Sequence, residues 1–284
     1  MALVLDGKEF SAICKENIKK EVEHLTSIGH RPGMAVVLVG ENPASQVYVR
    51  NKEKDCQECG IYSAMYTLPA ETSEADLLDL LEGLNEDDSI HGILVQLPLP
   101  KHIDSQKVIE AIDPIKDVDA FHPTNVGYLT TGMPRFAPCT PAGIVKLMEH
   151  YGIDPAGKHC VVVGRSNIVG KPMALLLLAK DGTVTVCHSA TNDLKEQTLQ
   201  ADILISAVGK VNMITGDMVK EGAVVIDVAM NRNEAGKLCG DVDFAEVSKK
   251  ASAITPVPGG VGPMTRVMLL ENTLTACKLQ HGLA

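Results

Sequence analysis

Between residues 8 and 28 the apolar side chains Phe10, Ile13, Ile18, Val22, Leu25 and Ile28 recur at the spacing that lines one face of a helix, and Gly29 and Pro32 close the segment. The period then changes. Met34 to Val39 is an unbroken apolar run that stops at Gly40, the pattern of a short strand buried on both faces. A polar helix from about Ala44 to Cys59, a strand from Ile61 to Leu68, a helix from Glu74 to Leu84 and a second buried strand from His91 to Pro98 follow in turn. Strands that alternate with helices and are apolar throughout predict a parallel α/β sheet.

From Asp113 to Pro141 the periodicity fades into Pro, Gly, Asp, Thr and Asn, as in a linker or a site-bearing loop, and a domain boundary is expected near Pro138. Beyond it Thr140-Pro141 reads as an N-cap and first turn for a helix over Gly143 to His150. The strand His159 to Val163, a glycine-containing turn and a leucine-rich helix from Pro172 to Lys180 come next. Strands over Thr183 to Cys187, Asp202 to Val208 and Ala223 to Val228 complete a doubly wound pattern. A last helix, Pro263 to Gln280, is expected to return to the first domain. The expected fold class is therefore α/β with two domains and a cleft between them. The first is a three-layer α/β domain over residues 1–137, completed by a C-terminal helix over 265–284; the second is a Rossmann-like dinucleotide-binding domain over 138–264.

The composition narrows the function. With 36 acidic against 26 basic residues the net charge is −10, which gives no electrostatic footing for a nucleic-acid backbone. The N-terminus meets Asp6 before any apolar stretch of signal-peptide length, and no apolar run approaches the ~20 residues of a membrane span, so a cytoplasmic protein without a membrane partner is expected. The eight cysteines are scattered, as reduced thiols would be. Cys56 and Cys59 form a C-x-x-C, but without a second pair or a nearby His they read as two thiols on a helix face, and no metal site is expected.

Gly164-Arg165-Ser166-Asn167-Ile168-Val169-Gly170-Lys171-Pro172 lies between a predicted strand and a predicted helix, where backbone N–H groups and the helix dipole favour a pyrophosphate. It is not a Walker A loop, because Pro172 stands where a magnesium-binding hydroxyl is needed, and not a nucleophile elbow, because Ile168 stands where glycine is needed. The tip of the following strand reads Cys187-His188-Ser189, without the carboxylate that would hold a free ribose hydroxyl, while Arg165 could pair with a phosphate. NADP is thus favoured over NAD. Elsewhere, Tyr48 and Lys52 share one helix face at a spacing of four. Gln96 interrupts an apolar strand, where an uncharged polar side chain calls for a partner. Asp117 and Asp119 stand where the loop begins, a place for a site or for a turn or helix cap.

Taken in order, Tyr48-Val-Arg-Asn-Lys52, Gln96-Leu-Pro-Leu-Pro100, Lys116-Asp-Val-Asp-Ala-Phe-His-Pro123, the 164–172 loop and Pro256-Val-Pro-Gly-Gly-Val-Gly-Pro-Met-Thr265 resemble the signature segments of the bifunctional methylenetetrahydrofolate dehydrogenase/methenyltetrahydrofolate cyclohydrolase family, over nearly the full length. The resemblance implies that Lys52, Gln96 and Asp119 are the catalytic set, with Lys52 central, Gln96 its hydrogen-bonding partner and Asp119 the anchor of the pterin ring. It also implies that Tyr48 packs on that ring, that Pro258, Gly259, Gly260 and Val261 close over the folate, and that Gly164, Arg165, Ser166, Ser189 and Met230 line an NADP site. A folate substrate and a homodimer are implied as well. The sequence departs from the family pattern at Ala120, where glycine is usual, and at Ala229-Met230, where Gly-Ile is frequent. A dehydrogenase without the hydrolytic step, in which Lys52 only positions substrate, and a nucleotide-responsive binding protein without turnover are the alternatives, and Lys52 with Gln96 favours the bifunctional enzyme over both.

Overall fold

The computed structural model describes residues 2–283, and the chain forms two compact units. One comprises Ile13–Cys139 and the residues from Arg266 on; the other comprises the residues up to Ala12 and Thr140–Thr265. Among the described residues no helix is long and apolar enough to cross a membrane.

The first unit is built on three parallel strands in the order Tyr62–Leu68, Gly33–Val39, Gly92–Val95. The central strand is buried along its whole length, as its uninterrupted apolar run requires. Ala35, Val37 and Val39 point to one face, where they pack with Leu77, Leu81 and Leu84 of the helix Glu74–Glu86 and Val108 of the helix Ser105–Ala111. On the opposite face Thr273, from the helix Val261–Gln280, donates to Leu269 O at 2.8 Å and rests its hydroxyl 3.6 Å from the Met34 sulfur. Helices on both faces of the sheet give the three-layer arrangement. Strand pairing continues beyond the named strands: Gln96 N–H donates to Val37 O at 2.8 Å, and Asp117 bridges to Ile93. These two extensions set Gln96 and Asp119 at the ends of neighbouring sheet elements.

The second unit holds a six-stranded parallel sheet in the order Leu3–Val4, Ala253–Ile254, Val224–Asp227, Ile203–Ser206, His159–Val163, Thr183–Cys187. Chain direction across the sheet reverses between His159–Val163 and Ile203–Ser206, which makes the carboxyl ends of those two strands the topological switch point where ligands of doubly wound folds bind. The first residues, expected in the first domain, belong here because Leu3 and Val4 extend this sheet beside Ala253 and Ile254.

Two further expectations are corrected. The helix that was to start after a Thr140 cap begins at Cys139, so Thr140 is inside its first turn, and its hydroxyl shares a hydrogen bond with Thr265 at 3.0 Å. The segment 113–141 is not wholly loop. It contains the helix Pro123–Thr130, started by His122, whose Nδ1 accepts from Thr124 N–H, and by Pro123 in its first turn.

Candidate active site

The helix Pro43–Cys59 presents Tyr48, 38% exposed, and Lys52, half-buried. Its position is fixed one turn beyond Lys52, where buried Asp55 pairs with Lys15 and with Arg266, the latter at 3.0 Å. Cys56 and Cys59, buried on the same helix, are pushed up to about 12 and about 11 by burial and stay protonated. Lys52 Nζ donates to Gln96 Oε1 at 3.0 Å, and Gln96 Nε2 in turn donates to Leu97 O at 2.7 Å. The amide therefore has one defined orientation, with its oxygen towards the amine. Burial holds the Lys52 amine below its ordinary range, and the Asp119 carboxylate opposes that shift. Burial raises Asp119 in turn, against the pull of Lys52. The three residues Lys52, Gln96 and Asp119 thus form one electrostatically connected group, in which removal from water disfavours the charged amine.

Of the two aspartates in the loop, Asp117 is the structural one. Buried, it accepts from His122 N–H and from Asn125 Nδ2, both at 2.8 Å. Beside Asp119 in the chain, Val118 O accepts from the buried Cys139 thiol at 3.4 Å. Cys139 and Asn272 were not foreseen from sequence. Asn272 Nδ2 donates to Val118 O at 2.8 Å and Ala137 O at 3.0 Å, which clamps the stretch carrying Asp119 to the segment before Cys139. Lys116 gives similar support, because its amine caps the helix Glu74–Glu86 by donating to Leu84 O at 3.1 Å and Asp87 O at 2.9 Å. Ala120 adopts φ +59°, the left-handed region glycine enters at little cost, so the chain bears local strain where the family pattern has glycine.

In the other unit, Gly164 follows the strand His159–Val163 with φ +128°, and a Cβ there would lie 2.5 Å from Ala207 O. A Cβ at Gly170 would lie 2.2 Å from Gly164 O, so both glycines are demanded by a turn folded tightly between strand and helix. Ser166 Oγ accepts from Val169 N–H at 3.1 Å at the start of the helix Gly170–Leu178. Beside this loop is a cavity of about 290 Å³ at the topological switch point, lined by Gly164, Arg165, His188, Ser189, Val208 and Lys210 among others. Among the described residues that line it none is acidic, and Arg165, Lys210 and the Ser189 hydroxyl supply donors suited to phosphate. Met230 is 42% exposed and does not line this cavity; its methyl group is beside Gly262. Pro258, Gly259, Gly260 and Val261 belong to the same unit as the cavity. Gly259 has φ +112°, Gly260 fits because a Cβ would lie 2.7 Å from Thr255 Cβ, and Val261 begins the helix Val261–Gln280.

His91, Cys277 and His281 place ligand-type atoms within 4.8 Å of one another. His91 Nδ1, however, accepts from Gly33 N–H at 3.0 Å, so its Nε2 carries the proton and donates to His281 Nε2 at 3.0 Å. The His91 lone pair is taken, and the cluster is a hydrogen-bonded pair of rings.

Comparison with known proteins identifies the family. Residues 5–119 match the tetrahydrofolate dehydrogenase/cyclohydrolase catalytic domain, and residues 138–281 match the NAD(P)-binding domain of the same family. The chain belongs to the tetrahydrofolate dehydrogenase/cyclohydrolase family. Among its relatives, the bifunctional protein FolD of Magnetococcus marinus is 60% identical with all of both chains covered, and that of Paracidovorax citrulli is 62% identical with 99% of each covered. Among solved structures, the bifunctional FolD of Campylobacter jejuni has a TM-score of 0.97 at 55% identity, covering 99% of this chain and all of that one. The Trypanosoma brucei enzyme, complexed with NADP cofactor and inhibitor, has a TM-score of 0.95 at 40% identity, covering 99% and 98%.

Proposed function

We propose that this family member oxidises 5,10-methylene-tetrahydrofolate to 5,10-methenyl-tetrahydrofolate with NADP and hydrolyses the product to 10-formyl-tetrahydrofolate. The observation that carries the reading is the Lys52–Gln96 pair at 3.0 Å, with Asp119 electrostatically coupled to the amine. The folate-binding and catalytic role falls to the unit that holds this pair, and dinucleotide binding to the unit that holds the 164–170 loop.

NADP supplies a hydride acceptor when bound, and Gly164, Arg165, Ser166 and Ser189 are the residues that would hold it, with Met230 on the nicotinamide side. The donors lining the switch-point cavity fit its phosphates, and the absence of a carboxylate among the described lining residues favours the 2′-phosphate form. The first reaction asks the protein chiefly for orientation, because the folate nitrogens push the hydride out of the methylene carbon. Asp119 would anchor the pterin's N–H donors, Tyr48 would pack on the ring, and Pro258 to Val261 would close over the folate.

The second reaction needs an activated water. A lysine amine is an effective base near neutral pH only when its affinity for protons is reduced, and burial of Lys52 does that. The amine takes the proton of the attacking water or stabilises charge on the developing oxygen, and Gln96 aims it. A positively charged methenyl substrate would reduce the amine's proton affinity further. The proposal includes a homodimer acting in the cytoplasm, which sedimentation of the purified protein and fractionation of the source cells would test.

Purified protein supplied with methylene-tetrahydrofolate and either NADP or NAD tests the whole reading, with reduced nicotinamide and methenyl absorbance followed separately. The expected result is faster reduction of NADP, with methenyl absorbance lagging well behind because hydrolysis consumes it. Methenyl accumulation in step with NADPH would leave a dehydrogenase alone, and no reduction of either cofactor would refute the proposal.

A further inference from the structure

Asp241 is fully buried and used by neither reaction step above, yet it receives five hydrogen bonds. Ser206 Oγ donates to it at 3.0 Å, Val208 N–H at 2.8 Å, Gly209 N–H at 3.3 Å, Lys210 N–H at 2.7 Å and Asn231 Nδ2 at 3.0 Å. Three successive backbone N–H groups pointing at one carboxylate define the conformation of that stretch, and Val208 and Lys210 line the switch-point cavity. Asn231 directly follows Met230, so the same carboxylate also ties down the ribbon formed by Asn231–Arg232 and Leu238–Cys239.

Asp241 is itself held from behind. Its N–H donates to Asp227 Oδ1 at 3.0 Å, and Val242 N–H donates to Asp227 Oδ2 at 2.9 Å. Ala229 N–H reaches Asp227 Oδ1 at 3.2 Å. Gly240 is needed for this approach, since a Cβ there would fall 1.8 Å from Asp227 Oδ2. Two buried carboxylates thus connect the ends of the strands Ile203–Ser206 and Val224–Asp227 to the cavity wall on one side and to Ala229-Met230 on the other.

We infer that Asp241 is a positioning residue for the dinucleotide, shaping the 208–210 wall of the cavity and the Met230–Asn231 turn together. The inference rests on the proposal that this cavity takes the dinucleotide. A carboxylate is required because it accepts on both oxygens; an amide would turn its NH2 against N–H donors and force the wall to move. The effect belongs to the cofactor-dependent reaction, and a general loss of structure would lower hydrolysis as well.

Asp241→Asn and the milder Asn231→Ala, which removes one donor and leaves the backbone contacts, are compared with the parent. The readouts are NADP titration, KM for NADP and for methylene-tetrahydrofolate, and hydrolysis of added methenyl-tetrahydrofolate without dinucleotide. The expected result is a KM for NADP raised at least tenfold in Asp241→Asn and about threefold in Asn231→Ala, with folate KM and hydrolysis changed less than twofold. An NADP KM within twofold of the parent in folded Asp241→Asn would overturn the inference. So would a parallel fall of oxidation and hydrolysis. Should Asp241→Asn not fold, an unchanged NADP KM in Asn231→Ala overturns it. Failure of the parent itself to bind NADP would refute the dinucleotide reading and the inference with it.

Discussion

Replacement of Gln96 by methionine, which keeps the length and flexibility of the side chain, removes the bond that aims the Lys52 amine. The lost contact is a 3.0 Å bond from Nζ to Oε1, worth about 1 kcal/mol for a neutral amine and ~1.5–3 kcal/mol for a charged one. At one power of ten per ~1.4 kcal/mol, hydrolysis of added methenyl-tetrahydrofolate should slow roughly fivefold to a hundredfold. Oxidation of methylene-tetrahydrofolate should fall less, because it depends on alignment of carbons and not on the amine. The substitution also leaves Leu97 O without the Gln96 amide, so a modest rise in folate KM common to both reactions is expected. Stopped-flow loss of methenyl absorbance and steady-state NADPH formation, measured on one preparation, give the ratio of the two effects. Equal losses in kcat would mean that the amide places the folate and does not aim the amine, and no loss in hydrolysis would refute the pairing as a catalytic element.

Asp119→Ala should raise the folate KM of both reactions, by the ~1–3 kcal/mol of an unpaired polar group, and leave NADP binding unchanged; a defect confined to NADP would show that the anchor is misplaced. Arg165→Ala should erode the preference for NADP over NAD by roughly tenfold, a charge-assisted bond reduced by its exposure, read as the ratio of kcat/KM for the two cofactors. An unchanged ratio would remove Arg165 from phosphate recognition. Burial above all brings His91 down to about 4 from an ordinary 6.5. A depressed folded value means that the native state takes up this proton less readily than the unfolded chain, so its stabilising contribution is complete above pH 6.5 and is lost as pH falls towards 4, by about 3 kcal/mol. Denaturant unfolding across that range should show the loss and His91→Gln should flatten it; an NMR titration of His91 near 6.5 would contradict the assignment.

What was legible in the sequence was what local pattern encodes. Met34 to Val39 has no polar interruption, and a run that short and that apolar, closed by Gly40, suits a strand buried on both faces and with it a layered α/β unit. The glycine spacing at 164–170 marked a strand-to-helix turn because each glycine answers a local steric demand. Gln96 stood out as a polar residue in an apolar strand, whereas Lys52 and Asp119 were singled out by the family resemblance, and the structure brings the three into one group.

The rest was distributed. Leu3–Val4 and Ala253–Ile254 are two-residue strands, too short to show a period, and only their pairing with each other reveals that the N-terminus joins the second sheet. The helix Pro123–Thr130 was hidden by Pro, Gly and Thr, which read as loop, although Pro123 occupies the first turn where its missing N–H costs nothing. Asn272 and Asp241 act on segments far away in sequence, Val118 and Ala137 for one and Ser206 to Lys210 for the other. Nothing around either residue in the sequence signals a polar side chain buried among backbone groups.

The most direct test of the Lys52 chemistry is Lys52→Met, assayed separately for oxidation of methylene-tetrahydrofolate and for hydrolysis of added methenyl-tetrahydrofolate. With the amine gone, hydrolysis should fall to the spontaneous rate while some oxidation persists, so that methenyl absorbance accumulates in step with NADPH. Hydrolysis by Lys52→Met at the parent's rate would contradict the assignment of Lys52 as the group that activates water.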